Sequence, residues 1–198
     1  MSDAIPRIVL ASGSRYRAEL LQRVLGDFIC STTAVDEAPD SGECPHDTAA
    51  RLARLKASSA AAQFSDSLVI GSDQVADLDG LALGKPGTME RARTQLAMCS
   101  GKTVVFHTAV CIADNRNGAK YFHEGLDTTR VVFRNLGEAE IRRYLDRETP
   151  LDCAGSFKME RLGVSLFERV ESEDPTAIVG LPLIILCRLL RRCGLVIP

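Results

Sequence analysis

The run Leu68-Val69-Ile70-Gly71 constrains the fold more than any other segment. So short an uninterrupted apolar stretch, entered from Ser67 and left through Ser72-Asp73-Gln74, reads as a buried strand over Ser67 to Val75. Arg7-Ile8-Val9-Leu10-Ala11 is a second such run, and the serines after it lead into Ala18, Leu20, Leu21, Val24 and Leu25 at helical spacing. The order there is strand, serine loop, helix. Phe28 to Thr33 reads as a further strand, followed by a polar loop from Ala34 to Pro45 holding Asp36, Glu37, Asp40 and Glu43. Asp47 or Thr48 is then suited to cap a helix to about Phe64, with Leu52, Leu55 and Ala62 on one face.

Asp77-Leu78-Asp79-Gly80 has turn chemistry, and a helix is expected from about Thr88 to Cys99. Two long strands, Thr103 to Ala113 and Lys120 to Phe133, are joined by the hairpin signal Asp114-Asn115-Arg116-Asn117-Gly118. Glu138 to Leu145 reads as a helix, and the apolar stretch from Leu183 to Cys193 as a last core helix stopped by Gly194. Strands alternating with helices predict an α/β fold, and the hairpin makes its twisted sheet mixed, with flanking helices. With no repeat, low-complexity tract or linker, residues 1–198 are expected to form a single domain.

At 45% hydrophobic residues the chain buries a substantial core without a covalent staple. A net charge of -2 argues against binding a nucleic-acid polymer, while a local group of Lys and Arg still suits a small polyanion. The 7 cysteines form no C-x-x-C pair and no zinc-ligand spacing with the 3 histidines, so they read as reduced thiols, mostly small core residues. No apolar run reaches the roughly eighteen residues of a membrane span, and Met1-Ser2-Asp3-Ala4-Ile5-Pro6 lacks the plan of a signal peptide. A cytoplasmic protein without a membrane partner is expected.

Several familiar chemistries are excluded. Gly80-Leu81-Ala82-Leu83-Gly84-Lys85-Pro86 is one residue too short between its glycines for a P-loop and carries Pro where a magnesium-binding hydroxyl belongs. There is no G-x-S-x-G elbow, and His46, His107 and His123 have no neighbouring nucleophile in a recognisable context, which suits surface or satisfied core groups. What remains is charge at element ends. Ser12-Gly13-Ser14-Arg15-Tyr16-Arg17 lies at a helix N-terminus, where free N–H groups favour phosphate and arginines add donors; a plain helix cap with solvated arginines fits the same residues. Asp73, expected at the carboxyl end of a strand, is the strongest catalytic candidate. Asp36 and Glu37 would complete an oxygen-rich magnesium site if folded near it. Lys56, Lys85 and Lys158, each alone an ordinary surface charge, together with Arg17 suit a triphosphate.

These segments resemble the Maf family of nucleotide pyrophosphatases. Leu10-Ala11-Ser12-Gly13-Ser14-Arg15-Tyr16-Arg17-Ala18-Glu19-Leu20-Leu21 is similar to the family's opening string, departing at Arg15, where many relatives carry Pro. Val35-Asp36-Glu37, Leu55-Lys56-Ala57, Gly71-Ser72-Asp73-Gln74-Val75 and Gly84-Lys85-Pro86 follow in the family's order. So do Phe106-His107-Thr108, Ala154-Gly155-Ser156-Phe157-Lys158 and Val179-Gly180-Leu181-Pro182. Gln74 after Asp73, together with the Lys158 string, resembles the 7-methyl-GTP branch rather than the dTTP/UTP branch.

The resemblance implies a mixed α/β fold of the Maf and inosine triphosphate pyrophosphatase type with a central substrate cleft. It further implies a nucleoside triphosphate substrate, a divalent cation (magnesium or manganese), attack of water at the α-phosphate, and commonly a homodimer. By the same resemblance Asp73 is the proton acceptor and, with Glu37, a metal ligand. Tyr16, Gln74 and Lys158 select the base, and Ser12, Arg17, Lys56 and Lys85 surround the phosphates. A dTTP/UTP or other modified-nucleotide pyrophosphatase is the alternative among enzymes, and a nucleotide-binding regulator of cell division the alternative outside them.

Overall fold

The computed structural model describes residues 6–118 and 120–198, so Met1 to Ile5, read above for a signal peptide, lie outside the described residues. The described chain forms a mixed sheet ordered β2-β1-β3-β5-β6-β7, with β4 also paired to β3. Its strands are β1 (Arg7–Leu10), β2 (Ile29–Cys30), β3 (Ser67–Leu78), β4 (Leu81–Leu83), β5 (Thr103–Asp114), β6 (Tyr121–Phe133) and β7 (Phe167–Glu171). The helices are α1 (Arg15–Gln22), α2 (Pro45–Ala61), α3 (Met89–Cys99), α4 (Glu138–Arg147) and α5 (Leu183–Arg192). β1 is parallel to both β2 and β3, whereas β3, β5, β6 and β7 pair antiparallel.

The central apolar run behaves as its composition requires. Leu68 and Ile70 point to the side covered by α1 and α5, and Val69 to the side covered by α2, so both faces of β3 are buried here. Gly71 carries the closest approach. A Cβ at this position would lie 2.2 Å from the Ala53 carbonyl oxygen and 2.5 Å from the Ala57 nitrogen, so the backbone of α2 rests directly on β3. This contact explains the alanines of α2, because larger residues would lift the helix off the strand.

A second cluster forms where β3, β5 and β6 continue past the parallel strands. Ala76, Leu78, Phe106, Val131 and Phe133 pack there with Leu96 of α3 and with Ile141 and Tyr144 of α4. Phe157 stands edge-on to Phe106, Phe133 and Phe167 at centroid distances of 5.4, 5.8 and 4.8 Å, which ties a late loop into this lobe.

Several expectations are corrected. β3 runs on to Leu78, so Asp73 lies mid-strand, opposite Ala109 of β5; only the parallel pairing with β1 stops at Ile70. The polar triplet marks the edge of the parallel region, and the antiparallel ladder carries the strand onward. β2 shrinks to two exposed residues, and β4 and β7 were not foreseen. Val24 and Leu25 fall beyond α1, in the turn that ends it. α2 begins at Pro45 after Cys44 rather than at Asp47 or Thr48, since Pro at the first helical position needs no N–H partner. Its buried face is Ala49, Leu52, Ala53, Lys56, Ala57 and Ala60, while Leu55 and Ala62 are exposed. The cysteines are all free, with Cys99, Cys111 and Cys193 buried but Cys30 and Cys44 exposed. His107 is not fully satisfied, because its Nδ1 is buried without a partner among the described residues.

Candidate active site

A cleft of about 530 Å³ opens between the two packed lobes. One wall is the Ala11–Arg17 loop and the start of α1, with Thr32, Thr33, Glu37 and Lys56; the facing wall carries Lys85, Phe106, Asp152 to Ala154, Phe157, Met159 and Glu160. Gln74 and the turn Ile178–Gly180 close the space between them. Strands shared by the two lobes therefore form its base.

The phosphate-side residues come from the serine loop. Ser14 caps α1, its Oγ accepting from the Arg17 N–H at 3.4 Å, and the nearly buried Ser12 Oγ accepts from the Ser14 N–H at 3.1 Å. Arg17 Nε donates to the Gly180 carbonyl at 2.8 Å, and its two Nη groups make no hydrogen bond among the described residues. Burial lowers the guanidinium from its ordinary value, opposed by the charges of Asp73 and Glu37. Lys85 is exposed at the rim.

Lys56 is the electrostatic centre. It stands on the buried face of α2 among alanines, 7% exposed, and its head reaches the inner end of the cleft. Nζ lies 2.6 Å from Asp73 Oδ1 and 2.6 Å from Glu37 Oε1. The Asp73 side chain is only 11% exposed and that of Glu37 60%, so the Lys56–Asp73 pair is the buried one. The hydrogen bond from Lys56 holds the Glu37 carboxyl below its usual range against burial, with the charges of Lys56, Lys85 and Arg17 helping.

The structure thus brings Ser12, Arg17, Glu37, Lys56, Lys85 and Gln74 together around the cleft, with Asp73 at its wall through Lys56. Asp36 is not part of the group; its Oδ1 accepts from the Ala38 N–H at 2.9 Å in an exposed local turn. Lys158 is buried beside the cleft rather than lining it, with Nζ 3.9 Å from Asp152 Oδ1. The Tyr16 hydroxyl lies 3.4 Å from Asp152 Oδ2, and the Arg15 guanidinium covers one ring face at 4.8 Å from the centroid.

Two cleft features escaped the sequence reading. Asp152 links Tyr16 to Lys158 from a loop with no motif of its own. Thr108 is fully buried beside Gln74, and only its place in Phe106-His107-Thr108 hinted at a role. Cys153 also lines the cleft, but burial pushes its thiol up to about 12, against the thiolate form a nucleophile needs.

A protein of Xanthomonas axonopodis pv. citri named 7-methyl-GTP pyrophosphatase is 57% identical, the alignment covering 98% of this chain and 100% of the relative. Proteins of the same name from Cupriavidus metallidurans and Burkholderia thailandensis are 51% and 50% identical over 98% of this chain, with 96% and 90% of the relatives covered. Among solved structures, the Staphylococcus aureus Ham1 protein shares the fold, with a TM-score of 0.53 at 13% identity over 92% of this chain and 98% of that one. The family described as Maf-like protein matches residues 7–193, from the first residue of β1 to just past α5, and so takes in every element that builds the cleft. The chain belongs to the Maf-like protein family.

Proposed function

We propose that the chain hydrolyses 7-methyl-GTP to 7-methyl-GMP and pyrophosphate by attack of water at the α-phosphate. The observation that carries this is the joining of Asp73, Lys56 and Glu37 at one end of a cleft whose walls carry Arg17 and Lys85. It is the arrangement phosphoryl chemistry requires, because that chemistry rests on positioning and on neutralising charge. The name borne by relatives at 50% to 57% identity supports the choice of nucleotide.

In this reading Asp73 accepts the proton of the attacking water, and its burial keeps competing solvent away. Lys56 fixes Asp73 by holding Oδ1, and Oδ2 is left without a partner among the described residues. The Nη groups of Arg17 and the ammonium of Lys85 take the phosphate oxygens, and the capped start of α1 adds its dipole. Ser12 keeps the loop in shape through the Ser14 N–H.

Glu37 and Asp73 fit a divalent cation, magnesium or manganese. Both are hard oxygen donors on the same ammonium, and each keeps a second oxygen without a partner among the described residues. When bound, the cation supplies charge neutralisation across the phosphates. Residues 1–198 are taken as a single domain, since β3, β5 and β6 run through both lobes, and the cytoplasm is the proposed place of work; no helix among the described residues is long and apolar enough to cross a membrane.

The test is pyrophosphate release from 7-methyl-GTP, GTP, dTTP, UTP and ATP with magnesium or manganese, followed by hydrolysis in ¹⁸O-labelled water. The label is expected in the monophosphate. Label in orthophosphate would assign attack to the γ-phosphate, dTTP or UTP as best substrate would move the chain to the pyrimidine branch, and binding without turnover would leave a regulator.

A further inference from the structure

Gln74 lines the cleft, but its amide nitrogen is fully committed to the protein. Nε2 donates to Thr108 Oγ1 at 3.0 Å, to the Ala177 carbonyl at 2.9 Å and to the Ile178 carbonyl at 3.2 Å. Carbonyl oxygens only accept, so the end of the amide that meets them is the nitrogen and cannot be the oxygen. Thr108 reinforces this, because its own proton goes to the Ala177 carbonyl at 3.1 Å and its oxygen is left to accept. Gln74 Oε1 has no protein partner and is not sealed in, since among the described residues His107 Nδ1 is the one buried side-chain polar atom without a partner. Gln74 therefore offers the cleft an acceptor and no donor.

The carbonyls that impose this orientation sit on a clamped turn. Asp174, 1% exposed, accepts from the Thr176 N–H at 3.0 Å and the Thr176 hydroxyl at 2.6 Å through Oδ1, and from the Ile184 N–H at 2.6 Å through Oδ2. Thr176 Oγ1 in turn accepts from the Leu183 N–H at 2.9 Å. Both ends of the segment are thus held by one side chain. The same turn presents the Gly180 carbonyl to Arg17 Nε at 2.8 Å and to Ser72 Oγ at 3.0 Å. Gly180 adopts φ +119, a region open to glycine, and Arg17 packs against the place where a side chain would begin.

We infer that Thr108 and Asp174 are positioning residues for base selection: with the Ala177 and Ile178 carbonyls they lock Gln74 as an acceptor-only reader. Such a reader selects bases that present N–H groups where adenine presents a bare ring nitrogen. Guanine and 7-methylguanine meet the condition with N1–H and the N2 amino group, hypoxanthine meets it with N1–H alone, and the adenine N1 opposes it. The inference rests on the nucleotide cleft of the proposed function but not on turnover. Asp174 has a second consequence, because its turn also aims Arg17, so loosening it disturbs base and phosphate recognition together.

The test measures calorimetric affinity for 7-methyl-GMP, GMP, IMP and AMP, and for inorganic tripolyphosphate, alongside kcat and KM. Wild type is expected to bind in the order GMP, IMP, AMP. Thr108→Val should cut the preference for GMP over AMP about tenfold, the worth of one lost neutral hydrogen bond, with KM for the guanine nucleotide rising and kcat and tripolyphosphate affinity unchanged. Thr108→Ser should restore the preference, a rescue that a packing role for the methyl group would not give. Asp174→Asn, which keeps the shape but loses an acceptor oxygen, should weaken guanine preference and tripolyphosphate binding together. If Thr108→Val does not fold, Thr108→Ala carries the comparison. An unchanged GMP to AMP ratio in a folded Thr108 variant, or a wild type that binds AMP as well as GMP, overturns the inference. A wild type that prefers guanine but hydrolyses nothing overturns the proposed function and leaves the inference standing.

Discussion

Replacing Lys56 by Met isolates the electrostatics at the head of the cleft. Met keeps most of the length and apolar stem while removing the ammonium, so the lost interaction is the pair of 2.6 Å contacts to Asp73 and Glu37. The two contacts are unequal. Glu37, 60% exposed, recovers water when the ammonium goes, and its share should be at most about 1 kcal/mol. Asp73, 11% exposed, is left as a buried carboxylate facing a thioether. Orphaning one partner of a buried pair costs about 3–5 kcal/mol, and slight access to the cleft favours the lower end, about 3 kcal/mol. For a chain of this size that corresponds to about 6–12 °C in Tm. Lys56→Met and Lys56→Met with Asp73→Asn should be compared by urea and thermal unfolding. The double variant removes the orphaned charge and should regain about 2 kcal/mol, a coupling typical of residues in direct contact. A double variant no more stable than the single one would refute the reasoning, since the cost would then lie in packing of the lysine stem.

Asp73→Asn alone should keep the fold and nucleotide binding while turnover falls by about 10² to 10⁴, because the amide cannot serve as general base; a near-normal kcat would remove Asp73 from the chemistry. Gly71→Ala should destabilise by about 1–3 kcal/mol or more, as its Cβ would meet backbone atoms of α2 at 2.2 and 2.5 Å, and calorimetric unfolding reads this directly. Activity should fall with it, since the displaced helix carries Lys56 away from Asp73. Glu43 is held down at about 2 from an ordinary 4.5, chiefly by Arg51, whose Nε lies 2.6 Å from Oε1. A lowered carboxyl contributes stability above its unfolded value and loses it as pH falls through the folded one. The stability gap between wild type and Glu43→Gln should therefore close between pH 4.5 and about 2, and a gap unchanged across that window would contradict the pairing.

Much of the framework was legible because it rests on local rules. The apolar runs at Ile8 to Leu10 and Leu68 to Ile70, the helix α3 from about Thr88 to Cys99, the β5–β6 hairpin and the Gly194 stop of α5 each follow from neighbouring residues, and each formed near its expected bounds. β4 and β7 are short edge or hairpin strands that exist through their partners, so no local pattern announced them, and β2, expected over Phe28 to Thr33, keeps only the two residues that pair with β1. At the site, residue types and order pointed to Asp73, Glu37, Lys56, Arg17 and Lys85 as a group. Sequence alone could not bring α2 against β3, and that packing makes Lys56 a buried partner of Asp73 instead of one more surface lysine. Nor could it exclude Asp36, whose neighbour Glu37 has the same chemistry but turns toward Lys56. The direction of the Gln74 amide was least legible of all, because it is set by carbonyls about a hundred residues away, held in place by the buried carboxylate of Asp174. The sequence determined which chemical groups this protein carries and which segments become strand or helix, since those depend on side-chain type and near neighbours. Which of those groups are buried, paired or turned toward the cleft was decided by tertiary structure alone, because hydrogen-bond direction and desolvation depend on partners that only long-range packing supplies.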